Sequence, residues 1–229
     1  MRVLAPAILA GSLAAAVVTA APPRQDAAAV DRAFQSFWSA SDRTAAAGRI
    51  DAILKTAVSF EEALERIRHG RGYTADVPRG LQYGRTPTGL GHRYAFVVPD
   101  SYDHARPYQV RVQLHGGVAR PQPTPAERLR IDSLKGSVEE ISVFPTSWAQ
   151  SLWWSATQVD NLGRILDRLK RTYNIGENRV YLTGSSDGGT GAYFMAFKDT
   201  TPWASFLPLI GDMMVLASPS ANAADEMFP

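Results

Sequence analysis

The chain contains no cysteine among its 229 residues, which excludes disulfides, thiolate metal sites and a cysteine nucleophile. Histidine is scarce as well. There are four, His69, His92, His104 and His115, and none in the half of the sequence that follows. Charge of one sign is also lacking. Lys and Arg number 24 against 22 acidic residues, a net charge of +2 scattered along the chain. No basic stripe of the kind a nucleic-acid binder needs results, so nucleic acid is not an expected partner.

The composition is otherwise that of a globular protein. At 45% hydrophobic the chain can bury one sizeable core with a small additional subdomain. Its first residues, MRVLAPAILAGSLAAAVVTAAPP, place one Arg2 before an apolar run. Small residues follow, with Val18 and Ala20 positioned for cleavage before Ala21. This pattern predicts a signal peptide over residues 1–20 and a secreted or periplasmic protein. The run falls short of the roughly 20 strongly apolar residues a membrane span requires, so no stable span is expected after cleavage. Loss of Arg2 leaves 23 basic residues against 22 acidic.

Residues 21–90 read as an N-terminal helical segment, rich in Ala, Arg and Glu over residues 27–71. Ser59 followed by Glu62 is a capping-box signature, and Ala63, Leu64 and Ile67 make one apolar face. From there to residue 229 the texture is that of a second domain. YAFVVP, YQVRVQLHGG and ISVFP are strand candidates, and in the second Val110, Val112 and Leu114 alternate with Gln109, Arg111 and Gln113. An amphipathic helix follows, with Val159, Leu162, Ile165, Leu166 and Leu169 on its apolar stripe. Asp160 to Arg164 and Asp167 to Arg171 are paired on its wet side, and Gly176 is its expected stop. NRVYLTG, a helix from about Gly188 and the apolar run WASFLPLIG complete the series. Alternation of this kind predicts an α/β fold, a mostly parallel sheet with helices on both faces.

Chemistry concentrates at two glycine-rich corners. Gly184, Ser185, Ser186, Asp187 and Gly188 fit G-x-S-x-G with Ser186 central, between a strand and a helix. Such a corner needs small residues two places either side of the serine, because the strand must turn sharply into the helix. The helix start also sets the Asp187 amide beside Ser186, where it can stabilise an oxyanion. The Asp187 side chain has a plainer use, capping that helix. A dinucleotide loop is ruled out because G-x-G-x-x-G cannot be laid on GSSDGGTG, and a phosphate-binding loop because no lysine follows the glycines. The second corner is His115, Gly116 and Gly117 at a strand end, where paired glycines let the backbone approach a substrate and offer another N–H.

His115-Gly116-Gly117 together with Gly184-Ser185-Ser186-Asp187-Gly188-Gly189 resembles the α/β-hydrolase superfamily. The run over residues 159–189 is most similar to its secreted esterase, polyhydroxybutyrate-depolymerase-like and prolyl-oligopeptidase-like members. The likeness spans about residues 93–211. It implies a serine hydrolase with Ser186 as nucleophile and the Gly117 and Asp187 amides as oxyanion hole. It implies neither metal nor organic cofactor. The substrate implied is a small-molecule or polymer ester, favoured over a peptide because the sequence shows no propeller-like domain to gate peptides.

The sequence departs from that family in one respect. There the order is serine, acid, histidine, and here no histidine follows Ser186, although Asp199, Asp212, Asp225 and Glu226 do. The expectation is therefore an incomplete α/β-hydrolase domain over residues 91–229, the leading part of a longer enzyme, inactive or weakly active as it stands. Two alternatives stand beside it. His115 substitutes as the base, against its commoner use as a prop for the loop, or the protein binds without turnover. His69, His92 and His104 read as surface residues. Trp148, Trp153 and Trp154 are either core or an aromatic platform beside the substrate.

Overall fold

The computed structural model describes residues 26–87, 89–124 and 139–213. The signal peptide expected over residues 1–20 lies outside them.

Four helices open the described chain: α1 (Ala27–Trp38), α2 (Arg43–Ala47), α3 (Ile50–Leu54) and α4 (Phe60–His69). Their starts follow from capping. The carboxylates of Asp26 and Asp42 and the hydroxyl of Ser59 each accept a first-turn amide. The apolar face expected on α4 is not buried, however. No residue of that helix is, and Ile67 is exposed, because the helix packs at the margin of the molecule rather than on the core.

The remaining elements are β1 (Gly80–Arg85), β2 (Arg93–Val98), β3 (Tyr108–Leu114), β4 (Glu140–Pro145), α5 (Ala156–Thr172), β5 (Ile175–Ser185), α6 (Asp187–Lys198) and β6 (Ser205–Leu209). The six strands form one sheet in the order β1-β2-β4-β3-β5-β6. From β4 through β6 neighbouring strands are parallel, whereas β1 and β2 run antiparallel at one edge. This is the mostly parallel α/β sheet the alternation predicts. β1 falls inside the stretch read as helical and has no strand signature, because it is a half-exposed edge containing Gly80 and Gly84. Its glycine is needed there: a Cβ on Gly84 would stand 2.2 Å from Cζ of the buried Tyr94.

The core lies between the sheet and α5. On β3, Tyr108, Val110, Val112 and Leu114 are buried and Arg111 and Gln113 exposed, as the alternation requires. Leu162, Ile165, Leu166 and Leu169 of α5 pack against them, each stabilising by about 2 kcal/mol on burial. α5 and α6 both connect parallel strands in the direction of β6, so right-handed crossovers set them on one face of the sheet. The β3-to-β4 connection runs the other way along the sheet, through residues 125–138, which lie outside the described ones.

Two local expectations change. α5 ends before Gly176, which sits in β5. Tyr173 is extended because its ring is buried against Phe96 and Tyr102, and that turns the backbone out of the helix. The Asp167–Arg171 pair forms at 2.9 Å but is not on an open face. Arg171 also donates to the Ala40 carbonyl, fastening the N-terminal helices to α5.

Leu166 is 1% exposed. Leu166→Ala is expected to lower the unfolding free energy by about 3 kcal/mol, read as a reduced urea midpoint with an unchanged m-value.

Candidate active site

The corner between β5 and α6 holds one of three non-glycine residues with positive φ in the described backbone, the others being Ala57 and Ile210. Ser186 sits between Ser185, the last residue of β5, and Asp187, the first of α6, with φ 56° and ψ −125°. A non-glycine residue there costs on the order of 1–3 kcal/mol and persists only where its surroundings over-determine it. The surroundings are specific. The Ser186 amide donates to the Leu209 carbonyl of β6 at 3.0 Å, and its carbonyl accepts from the Thr190 amide at 3.0 Å. The flanking glycines are required by contact. A Cβ on Gly184 would meet the Gly188 carbonyl oxygen at 2.1 Å, and one on Gly188 the Leu114 carbonyl oxygen at 2.1 Å. With the helix start pressed onto the strand ends, Gly189 packs similarly on Leu209 and Gly211. Ser186 is an exposed residue, and its side chain makes no capping bond to α6.

The second corner is brought against the first. A Cβ on Gly116 would lie 3.1 Å from Ser186 Cβ and 3.7 Å from its Oγ. Gly117 has φ +67°, a conformation that favours glycine. The Asp187 carboxylate does not cap α6. It reaches back to accept the Val118 amide at 2.8 Å and so ties the two corners together. Among the described residues, no hydrogen bond occupies the amides of Gly117 and Asp187.

His115 is a prop in this arrangement. Its Nε2 accepts the Ser147 amide at 3.1 Å, so that nitrogen carries no proton, and Nδ1–H donates to the Gly116 carbonyl at 2.9 Å. The His115 carbonyl in turn accepts from the Trp153 indole at 2.8 Å, and the two rings meet edge to face at 5.1 Å. His115 is an exposed residue, yet the desolvation of its ring draws its pKa below the ordinary 6.5. The Gly116 bond opposes that shift and the Arg120 cation adds to it. With both ring nitrogens engaged, His115 has no lone pair to offer Ser186.

The other histidines stand elsewhere. His69 ends α4, and His104 precedes β3, at the strand edge opposite the corner. His92 is not a surface residue. It is fully buried, 4.7 Å from the Trp148 ring, with Nε2 at 2.7 Å from Ser151 Oγ. Its sequence neighbours, Gly91 and Arg93, give no hint of this, because the pocket is made by a distant turn. Burial holds its pKa down at about 4, with the Asp160 charge opposing. Trp148 and Trp153 are core residues at 2% and 0% exposure, so neither forms a platform for substrate; Trp154 is half-buried. Asp199 closes the far end of α6, whereas Asp212 follows β6 at the corner's own edge, its amide donating to Thr190 Oγ1 at 2.9 Å. Asp225 and Glu226 lie outside the described residues. No described cluster of His, Asp and Glu could hold a metal ion.

No protein-family model matches the chain, and no curated protein matches it. Solved structures do. A thermostable esterase is similar at 21% identity and TM-score 0.44, over 56% of this chain and 40% of that one. The S-formylglutathione hydrolase FrmB of Staphylococcus aureus is similar at 16% identity and TM-score 0.43, over 66% and 69%. An acylaminoacyl peptidase of Pyrococcus horikoshii is similar at 16% identity and TM-score 0.45, over 64% and 26%. The chain thus spans less than half the length of the first of these.

Two outcomes follow from the site's physics. Ser186→Gly relieves the strained φ at the cost of a freer unfolded chain, whereas Ser186→Ala keeps the strain. The Gly variant is expected to be more stable than the Ala variant by about 1 kcal/mol, measured by urea unfolding. His92 and His115 are both neutral when folded and take up protons more readily when unfolded. Their contribution is complete above pH 6.5 and is lost as pH falls, for His92 down to about 4. The His92 part is about 3 kcal/mol. His92→Gln is expected to flatten the stability profile across that window, measured by urea midpoints at successive pH values.

Proposed function

We propose that the protein is an exported serine hydrolase acting on carboxylic esters, with Ser186 as nucleophile and the Gly117 and Asp187 amides as oxyanion hole. The observation that carries this reading is the backbone of Ser186: an exposed non-glycine residue held at φ 56° and ψ −125° between a strand and a helix. Strain of this kind persists where function fixes it. The reaction is acyl transfer to water. The Ser186 oxygen attacks the ester carbonyl and the two amides take the developing negative charge. The alkoxide leaves with a proton, and water then releases the acid.

The general base is the missing element among the described residues. His115 is engaged at both nitrogens, and no other described histidine stands at the corner. Without a base, a site of this kind retains about 10³ to 10⁴-fold catalysis from binding and the oxyanion hole. The same observation favours a second reading, a hydrolase-like protein that binds an ester or related ligand without turning it over. Export rests on the apolar leader, and no described helix is long and apolar enough to cross a membrane.

A base supplied from solution separates the two readings. Fluorophosphonate labelling of Ser186 is expected to be slow and to rise in proportion to added imidazole. In Ser186→Ala it is expected to fall at least about tenfold, to background. Equal labelling of the two proteins would exclude Ser186 as nucleophile. No labelling of a folded wild type at any imidazole concentration would favour the binding protein.

A further inference from the structure

Behind the proposed oxyanion loop runs a buried polar chain that the reaction itself does not use. Its centre is Gln158, 0% exposed in the first turn of α5. The two N–H groups of Gln158 Nε2 are shared among three acceptors, the Thr146 carbonyl at 3.0 Å, the Ser151 carbonyl at 3.1 Å and Ser151 Oγ at 3.2 Å. Its Oε1 accepts from Asn161 Nδ2 at 2.8 Å, and Asn161 Oδ1 accepts from the Thr86 hydroxyl at 2.9 Å. Ser151 Oγ also meets His92 Nε2, and Ser147 Oγ donates to the Ser151 carbonyl at 2.7 Å. Every donor bond of the Gln158 amide thus ends on one turn, residues 146–151.

That turn faces the loop after β3 and holds it at two points. The Ser147 amide donates to His115 Nε2 at 3.1 Å, and the Ala149 amide donates to the Arg120 carbonyl at 2.9 Å. His115 passes the constraint to the Gly116 carbonyl, and Gly116 lies on Ser186. A buried amide with both N–H groups and its carbonyl satisfied is an expensive way to join a helix to a turn, since an apolar pair of the same shape does so at little or no cost. What the amide adds is direction, because it fixes where the Ser147 N–H points.

We propose that Gln158 is a positioning residue for the oxyanion backbone, holding Gly116 and Gly117 in register with Ser186 through the turn over residues 146–151 and the His115 ring. This rests on the reading of Ser186 as nucleophile. The link is mechanical: the Ser147 amide keeps Nε2 of His115 unprotonated, Nδ1–H therefore stays on the Gly116 carbonyl, and the loop has one conformation. The charged groups around the ring are Arg120 and Asp187, the latter holding the Val118 amide. Misplacing an oxyanion donor by about 1 Å is enough to cost on the order of 10²-fold in rate.

The test compares Gln158→Met, which keeps the volume and removes the donors, with Leu166→Ala, which destabilises the same helix without touching the turn. Two quantities are measured at neutral pH: the imidazole-assisted rate of fluorophosphonate labelling at Ser186, and the ¹⁵N signals of the His115 ring. In Gln158→Met the rate is expected to fall at least about tenfold, and the ring signals to move from a single Nδ1–H tautomer toward averaged values. In Leu166→Ala the ring signals stay in place and the rate stays within about twofold of wild type. Gln158→Met behaving like Leu166→Ala in either quantity overturns the proposal. If wild type is not labelled at all, the nucleophile reading fails and the ring signals alone decide: a shift supports the positioning role and no shift overturns it. Should Gln158→Met not fold, Ser151→Ala removes one of the same bonds and is judged by the same two quantities.

Discussion

The arrangement depends on one close approach, that of the first turn of α6 to the ends of β3 and β5. Gly188 lies so near the Leu114 carbonyl, and Gly184 so near Gly188, that no side chain fits at either position. Pressing the helix start onto the strands leaves a single residue to reverse the chain. Ser186 therefore takes a positive φ and stands exposed at the end of β5. The same approach brings Gly116 against Ser186, since β3 and β5 are parallel neighbours whose ends stand side by side, Leu114 opposite Gly184.

A second constraint acts on the loop after β3. Five of its groups are held: the His115 carbonyl by Trp153, the His115 ring by Ser147, the Gly116 carbonyl by that ring, the Val118 amide by Asp187 and the Arg120 carbonyl by Ala149. Four of the five partners come from elements distant in sequence. A short glycine loop would otherwise sample many conformations; here its freedom is removed by these hydrogen bonds, of which the one from the Ser147 amide to Nε2 requires a neutral His115. The scarcity of histidine and the engagement of the one beside the corner belong to the same picture. The imidazole nearest Ser186 supports the backbone and is not free to exchange protons with it.

Much of this was legible in the sequence. The two-residue period of β3, the apolar stripe of α5 and the glycine spacing around Ser186 are local patterns, and local patterns survive into the structure because they arise from backbone geometry. β1 escaped because an edge strand with one wet face and two glycines has no apolar run. His92 and Gln158 escaped for another reason. Their partners lie 59 and 7 to 12 residues away, and no short-range pattern marks a polar residue that will be buried.

The sequence by itself determined the alternation of strands and helices from β2 onward, the glycines at the two corners and the chemical types available there. The tertiary structure alone decided which groups those corners meet. It set the Asp187 carboxylate on the Val118 amide instead of on its own helix, closed both nitrogens of His115, and enclosed Trp148 and Trp153 in the core. The physical reason is range: backbone preference acts over a few residues, whereas hydrogen-bond direction and burial are fixed only when distant segments pack together.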